Sequence, residues 1–391
     1  MTIRKQSDIG VLALVPDDWE NVWTVRHHFL TRICRYCPTV WVNLARDWRA
    51  VLHDFQYKGE VCKDSSGLLI YKHSRLLPTI YRPARLGNAI REKRWIRARN
   101  LLVREGCSRI ILYIWRPQFA DALEKIPHDF SVYHIDDEYS FSVDDSPLGE
   151  IEKSLICRSN EVIIHSPNLM RKKGDLNENT YVAPNGVDYS LFSSSTEEPT
   201  DYQSIPHPRI GCVGVIKTQL DLELLDDIAE KRSDWSIICV GPIGYLGQDQ
   251  KWLDRLQDRR NVYFLGLKPP NELPAYIQHL DACLMIYKEN DYTNSIYPLK
   301  LHEYLASGMP VVSSRIRTVM DFQSVICMAS SADEWIEQIA SAIEPSMISV
   351  PMRERRKEVA KNFDWDAIVD KTVSRWLEKL DYPVQSGSNT V

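Results

Sequence analysis

The residues best placed to do chemistry are Lys300 and Glu303, three apart in Pro298-Leu299-Lys300-Leu301-His302-Glu303-Tyr304-Leu305-Ala306-Ser307-Gly308-Met309-Pro310-Val311-Val312-Ser313-Ser314. That spacing puts a cation and a carboxylate on one helical turn. Gly308 suits a left-handed helix end, Pro310 blocks continuation, and a β-branched run starts at Val311. A charged helix running into a buried strand is a junction at which α/β proteins hold phosphates, and both charges would point into whatever cleft the helix faces.

Asp136 and Asp137 end an apolar run in the first half, where a carboxylate can serve as general base. Either could instead cap a helix or partner an arginine; Asp137 is preferred, with Asp136 and Glu138 as rivals. Trp23, Arg26 and His27 fall at i, i+3 and i+4, so His27 could share the base role, or the face could be a packed aromatic helix. Gly211-Cys212-Val213-Gly214-Val215-Ile216 and Gly241-Pro242-Ile243-Gly244 each end a strand-like run and offer turns where a diphosphate could approach backbone amides. Gly266-Leu267-Lys268-Pro269-Pro270 does the same, with a backbone that could read a nucleobase edge. None is a complete dinucleotide fingerprint, which disfavours an NAD-dependent dehydrogenase.

These residues need elements to position them. The chain has 391 residues, 44% of them apolar, enough for two cores. Short β-branched runs alternate with amphipathic ones, the pattern of parallel sheets flanked by helices. Strands are expected at 9–15, 39–43, 68–71, 109–114, 131–135, 161–165 and 180–183, then at 209–213, 235–240, 262–265, 282–286 and 311–313. The expected division is a first domain 1–192, a Ser/acid/Pro-rich linker 193–208, a second domain 209–362, and a C-terminal helix from 363 packing back on the first domain. Trp365 and Trp376 would anchor that helix, and 385–391 would fray. No repeat of solenoid length is visible.

A formal charge of -5 gives no global basic field, so nucleic acid is not a favoured partner. The basic run Arg91, Lys93, Arg94, Arg97, Arg99 and Arg104 could rest on anionic lipid, bind phosphate-rich acceptors, or simply be a solvated helix face. No apolar run is long enough to span a bilayer and no signal peptide is visible, so a cytoplasmic protein, peripheral at most on the inner membrane face, is expected. The nine cysteines are scattered through apolar runs and read as reduced core thiols. Cys34-Arg35-Tyr36-Cys37 has redox spacing but neither a second pair nor a thioredoxin context, and reads as coincidence.

Taken in order, the series 211–216, 240–242, 261–266, Leu273-Pro274-Ala275-Tyr276, 281–286 and 298–314 resembles the nucleotide-sugar domain of GT-B glycosyltransferases. It is nearest the bacterial branch related to glycosyltransferase family 4, used for capsule, teichuronic acid and exopolysaccharide assembly. Tyr133-His134-Ile135-Asp136-Asp137, Ser166-Pro167-Asn168-Leu169 and Val182-Ala183-Pro184-Asn185-Gly186-Val187-Asp188 extend the resemblance into the first half. It implies an α/β fold of two Rossmann-like doubly wound domains facing across a cleft, and transfer of a sugar from a nucleotide-diphosphate donor, UDP-linked by preference, to a glycan or lipid-linked acceptor. The nucleotide sugar is a co-substrate, and no cofactor or metal is implied.

By position, Glu303 would hydrogen-bond the donor ribose, a task suited to a carboxylate that accepts from two hydroxyls. Lys300 would neutralise charge growing on the leaving diphosphate. Gly214, Gly241, Leu267, Leu299 and Leu301 would line the nucleotide site, and Tyr287, Tyr292, Thr293 and Asn294 the donor sugar or phosphate. Two departures stand out. A second glutamate expected eight residues before Glu303 is replaced by Ser295, and the arginine and lysine expected after the first glycine turn are Val215 and Leu220, leaving Lys217 as a displaced substitute. Retention of anomeric configuration is thereby in doubt, and the inverting route would use Asp137, Asp136 or His27 as base. A UDP-sugar 2-epimerase of the same fold and a non-catalytic nucleotide-sugar-binding subunit are the competing readings.

Overall fold

The computed structural model describes residues 6–54, 59–139 and 149–382. They form two compact units, one of residues up to Pro184 together with those from Asp366 onward, the other Asn185–Trp365.

The first unit is built on β1 (Ile9–Leu14), β2 (Thr39–Val42), β3 (Val61–Lys63), β4 (Leu69–Tyr71), β5 (Arg109–Ile114), β6 (Phe130–Ile135), β7 (Glu161–Ile164) and β8 (Thr180–Val182). Their order is β3-β4-β2-β1-β5-β6-β7-β8. All neighbours are parallel except β3, which runs antiparallel to β4. Every residue of β1 is buried, as a sheet covered on both faces requires. β3 escapes sequence reading because it is a three-residue edge strand with half-exposed or exposed side chains and no apolar pattern. After β4 the chain returns to pair β5 on the other side of β1, so a crevice opens at the carboxyl ends of β1 and β5.

The basic run lies on the helix Ala84–Arg104, whose inner face buries Arg94, Trp95, Ala98 and Leu102. Lys93, Arg97 and Arg104 are exposed, so the run is not one solvated basic face. Cys34 and Cys37 are both buried. In the C-terminal helix Trp365–Lys379, the Trp376 indole donates to Glu161 of β7 at 2.8 Å and meets Tyr113 edge-on at 5.3 Å. Trp365 and Trp376 are both buried. The tail 385–391 lies outside the described residues.

The second unit is built on β9 (Arg209–Val213), β10 (Ser236–Val240), β11 (Val262–Gly266), β12 (Ala282–Met285), β13 (Val311–Ser313) and β14 (Cys327–Met328), all parallel in the order β11-β10-β9-β12-β13-β14. The order reverses between β9 and β12, which marks the crevice where open α/β sheets take ligands. The segment read as a linker, 193–208, packs on this unit instead. Tyr202 and Ile205 join its core, the Tyr202 hydroxyl donates to the Tyr276 carbonyl at 2.9 Å, and Arg209 donates to the Ile205 and Tyr202 carbonyls at 2.9 and 2.7 Å. Its composition is that of a linker, but two apolar anchors hold it down.

Candidate functional site

At the crevice of the second unit, Gly214 follows β9 and Gly241 follows β10, with φ of +133° and +142°. Both are positions glycine alone adopts readily. The Gly214 amide donates to the Val240 carbonyl at 2.8 Å and the Gly241 amide to Gly266 at 2.8 Å, which stacks three strand ends. A Cβ on Gly241 would lie 2.2 Å from the Gly214 carbonyl oxygen, and one on Gly214 would lie 3.4 Å from Lys300 Nζ. The lysine head therefore hangs over the bare Gly214 turn.

Lys300 and Glu303 are carried by the helix Leu299–Ala306, which Pro298 caps. Leu301, Tyr304 and Leu305 pin its inner face in the core, and the Val213 amide donates to the Tyr304 hydroxyl at 2.8 Å, fixing the helix to the end of β9. Lys300 Nζ sits 5.4 Å from the centroid of the buried Tyr287 ring. Burial works against the ammonium, but Tyr287 and Glu303 outweigh it and raise its pKa. Burial pushes the Glu303 carboxyl up to about 7, with Lys300 pulling the other way. Among the described residues neither side chain has an ion-pair partner, and the Glu303 carboxylate has no hydrogen-bond partner. A half-buried carboxylate without partners is a group prepared for a ligand.

Other expected donor contacts divide. Leu267 is exposed and follows Gly266, whose φ is +68°. Asn294 accepts from the Arg317 amide at 2.9 Å. Lys217 is exposed on the loop after β9. Leu299 opens the helix, but Leu301 is a core side chain, so only its backbone can serve a ligand. Thr293 is a correction: it is fully buried and its hydroxyl donates to the Lys288 carbonyl at 2.5 Å, closing the turn with Asn290. Ser295 is buried too and bonds the Asp291 carbonyl at 3.0 Å, so no acidic side chain occupies that place.

In the first unit Asp136 is held by Arg26 Nη2 at 2.5 Å and by the Tyr139 hydroxyl at 2.8 Å. Arg26 also pairs with Asp17, just beyond β1. Burial raises the Asp136 carboxyl, but Arg26 and Arg116 outweigh it and hold it below the usual range. Asp137 is the opposite case: burial and the Asp136 charge raise it. Glu138 is buried between Lys173 at 3.0 Å and Lys172 at 3.2 Å. Of the three, Asp137 has the electrostatics of a base.

His27 is not available as a base. Its Nδ1 accepts from the Thr24 amide at 3.1 Å and its Nε2 meets the Trp19 carbonyl at 3.2 Å. The ring is fully buried, with Trp41, Trp19 and Trp23 centroids at 4.6, 5.1 and 5.3 Å. Trp23 precedes the helix Val25–Ile33, so the three residues do not share one helix face. Asp17, Arg116 and Tyr139 complete this cluster and were not singled out from sequence, although Asp17 sits just past β1, where such groups are expected. Among the described residues no group of three or more His, Cys, Asp or Glu side chains is placed to hold a metal ion.

Residues 207–344 match the family model described as Glycosyl transferases group 1. The chain is 30% identical over 198 residues to TuaH of Bacillus subtilis strain 168, named as a candidate teichuronic acid biosynthesis glycosyltransferase. The match covers 49% of each protein, so the chain spans about half the length of that relative. Among solved structures, HepE of Anabaena in complex with UDP and glucose superposes with a TM-score of 0.66 at 15% identity, over 95% of this chain and 100% of HepE. A glycosyltransferase from Rickettsia africae gives 0.68 at 12% identity, over 97% and 100%. The chain thus has the GT-B fold of two parallel-sheet α/β domains, and its second unit is similar to a Glycosyl transferases group 1 domain.

Proposed function

We propose that the protein is a glycosyltransferase that moves a sugar from a nucleotide-diphosphate donor, UDP-linked by preference, to a glycan or lipid-linked acceptor of a cell-surface polysaccharide. The observation that carries this reading is Lys300 poised over the Gly214 turn, with the unpartnered Glu303 carboxylate one turn further along the same helix. The acceptor oxygen forms its bond to the anomeric carbon as the bond to the diphosphate breaks, and the diphosphate leaves with the electron pair. Lys300, the Gly214 turn and the amides opening the helix at Leu299 stabilise that charge. Glu303 accepts from the ribose hydroxyls, and Asp137 takes the acceptor proton. The names of TuaH and of the UDP-bound HepE complex support the same reading.

No described helix is long and apolar enough to cross a membrane. Peripheral contact with an anionic membrane is proposed through the start of the helix Ala84–Arg104, where Leu76 (84%), Tyr81 (67%) and Leu86 (47%) are exposed among exposed Arg82 and Arg85. A second reading, a nucleotide-sugar-binding subunit without turnover, is favoured by the buried Ser295 where an acidic group was expected.

Calorimetry with UDP-, GDP-, ADP- and dTDP-sugars tests the proposal. Glu303→Ala removes charge-assisted hydrogen bonds of about 1.5–3 kcal/mol each and should weaken UDP-sugar binding at least tenfold. Unchanged affinity in that variant would sink the reading.

A further inference from the structure

A cavity of about 250 Å³ in the first unit opens at the carboxyl ends of β1, β2 and β4, lined among others by Asn43, His73, Thr79, Tyr81, Arg91 and Arg94. Arg94 is 7% exposed, yet no carboxylate among the described residues lies within ion-pair distance of it. Its guanidinium makes only long bonds, 3.3 Å to the Leu77 carbonyl and 3.4 Å to the Thr79 hydroxyl. A buried cation without a counter-charge costs several kcal/mol, a cost that an arriving anion would offset. Arg91 adds a second guanidinium, shared with Asp121, and Lys125 bonds the same Asp121 oxygen at 2.7 Å. The neighbourhood therefore keeps an excess of positive charge.

His73 supplies the complementary half. It is 4% exposed, and its Nε2 donates to the Asn43 carbonyl at 2.6 Å, which fixes the proton on that nitrogen. Nδ1 is then an acceptor, and it is buried without a partner. Burial and Arg94 depress this imidazole to about 3, so it stays neutral. A pocket with an uncompensated arginine and an orphaned acceptor calls for a ligand carrying an oxyanion beside a hydroxyl. The volume equals roughly eight waters at about 30 Å³ each, about the bulk of one pyranose ring.

We infer that this cavity binds a sugar unit bearing an oxyanion, with Arg94 and Arg91 on the anion and His73 Nδ1 accepting from a sugar hydroxyl. Resting on the proposed transferase function, the inference makes the acceptor an acidic or phosphorylated saccharide. Its carboxylate and phosphate forms share the recognition chemistry.

The test is titration of the full chain with glucuronate, glucose 1-phosphate and glucose, with UDP at saturating concentration to block the second unit. At least one anion should bind tenfold or more tighter than glucose, and which one identifies the source of the charge. Arg94→Gln should lose that binding tenfold or more while UDP affinity holds, with Arg94→Lys partly retaining it. Should Arg94→Gln not fold, Arg91→Gln, which alters only a half-exposed side chain, should weaken anion binding at least threefold. Equal binding of glucose, no binding of either anion, or unchanged anion affinity in the folded arginine variants would overturn the inference. Failure of UDP to bind, with Arg94-dependent anion binding intact, would instead remove the transferase reading and leave the cavity's specificity standing.

Discussion

Arg26 Nη2 lies 2.5 Å from an Asp136 carboxylate oxygen, and both side chains are almost fully buried. The pair occupies Asp136 structurally. Arg26→Met would strip the buried Asp136 and the half-buried Asp17 of their shared guanidinium, leaving only Arg116 as a cation near Asp136, a loss of up to about 3–5 kcal/mol in urea denaturation at pH 7. Asp136 titrates below its ordinary value when folded, so its stabilisation is present above the unfolded pKa of about 3.9 and is lost as pH falls through the lower folded value. The gap between wild type and Arg26→Met should therefore narrow below about pH 4.

Asp137 carries the opposite shift beside it, since burial and the Asp136 charge both raise its carboxyl. Asp137→Asn keeps the shape and removes the proton acceptor. UDP release from the matching UDP-sugar should fall by about 10²–10⁴, with UDP affinity unchanged in calorimetry. A variant that retains turnover would move the base elsewhere.

The pairing of Lys300 and Glu303 on one helix at the crevice of the second unit was legible because its signals are local. Lys300 and Glu303 lie on one turn, and Gly308 and Pro310 punctuate the passage into β13 within ten residues. Alternating apolar runs likewise located the long buried strands, but not β3 and β14, which are two or three residues long and carry no buried side chains. His27 misled because what occupies it comes from elsewhere in the chain: Trp19 precedes it by a loop, and Trp41 arrives from β2. Thr293 misled because its expected contact was carried over by position from the resemblance, which does not show that Asn290 and Lys288 close around its hydroxyl. The cavity at Arg94 was hidden inside a basic run, because only tertiary packing separates the one buried arginine from its exposed neighbours.

Gly241 and Gly266 separate steric demand from backbone strain within one unit. Both have positive φ, but a Cβ on Gly241 meets the Gly214 carbonyl at 2.2 Å whereas one on Gly266 meets nothing within 4 Å. Gly266→Ala should cost only about 1 kcal/mol of backbone strain. Gly241→Ala should cost at least about 2 kcal/mol more and weaken UDP binding, because the Gly214 turn under Lys300 must shift. Thermal denaturation and UDP titration of the two variants side by side check both statements.

Glu303 gives the site a pH dependence. With the free carboxyl pushed up to about 7, much of it is protonated in mildly acidic buffer, and a protonated oxygen loses part of its capacity to accept from ribose hydroxyls. UDP affinity should rise with pH through about 7 and level off above it, and Glu303→Gln should flatten the profile. Stability moves the other way. A carboxyl raised on folding contributes stability below its unfolded pKa of about 4.3, and that contribution is lost as pH rises through about 7. Wild type without ligand should therefore lose stability across that window relative to Glu303→Gln, and bound UDP-sugar should oppose the loss by holding the carboxylate in hydrogen bonds. Melting curves of the two proteins between pH 5 and 8, with and without UDP-sugar, decide the matter, because a carboxylate outside the nucleotide site would show the stability slope without the ligand's opposition to it.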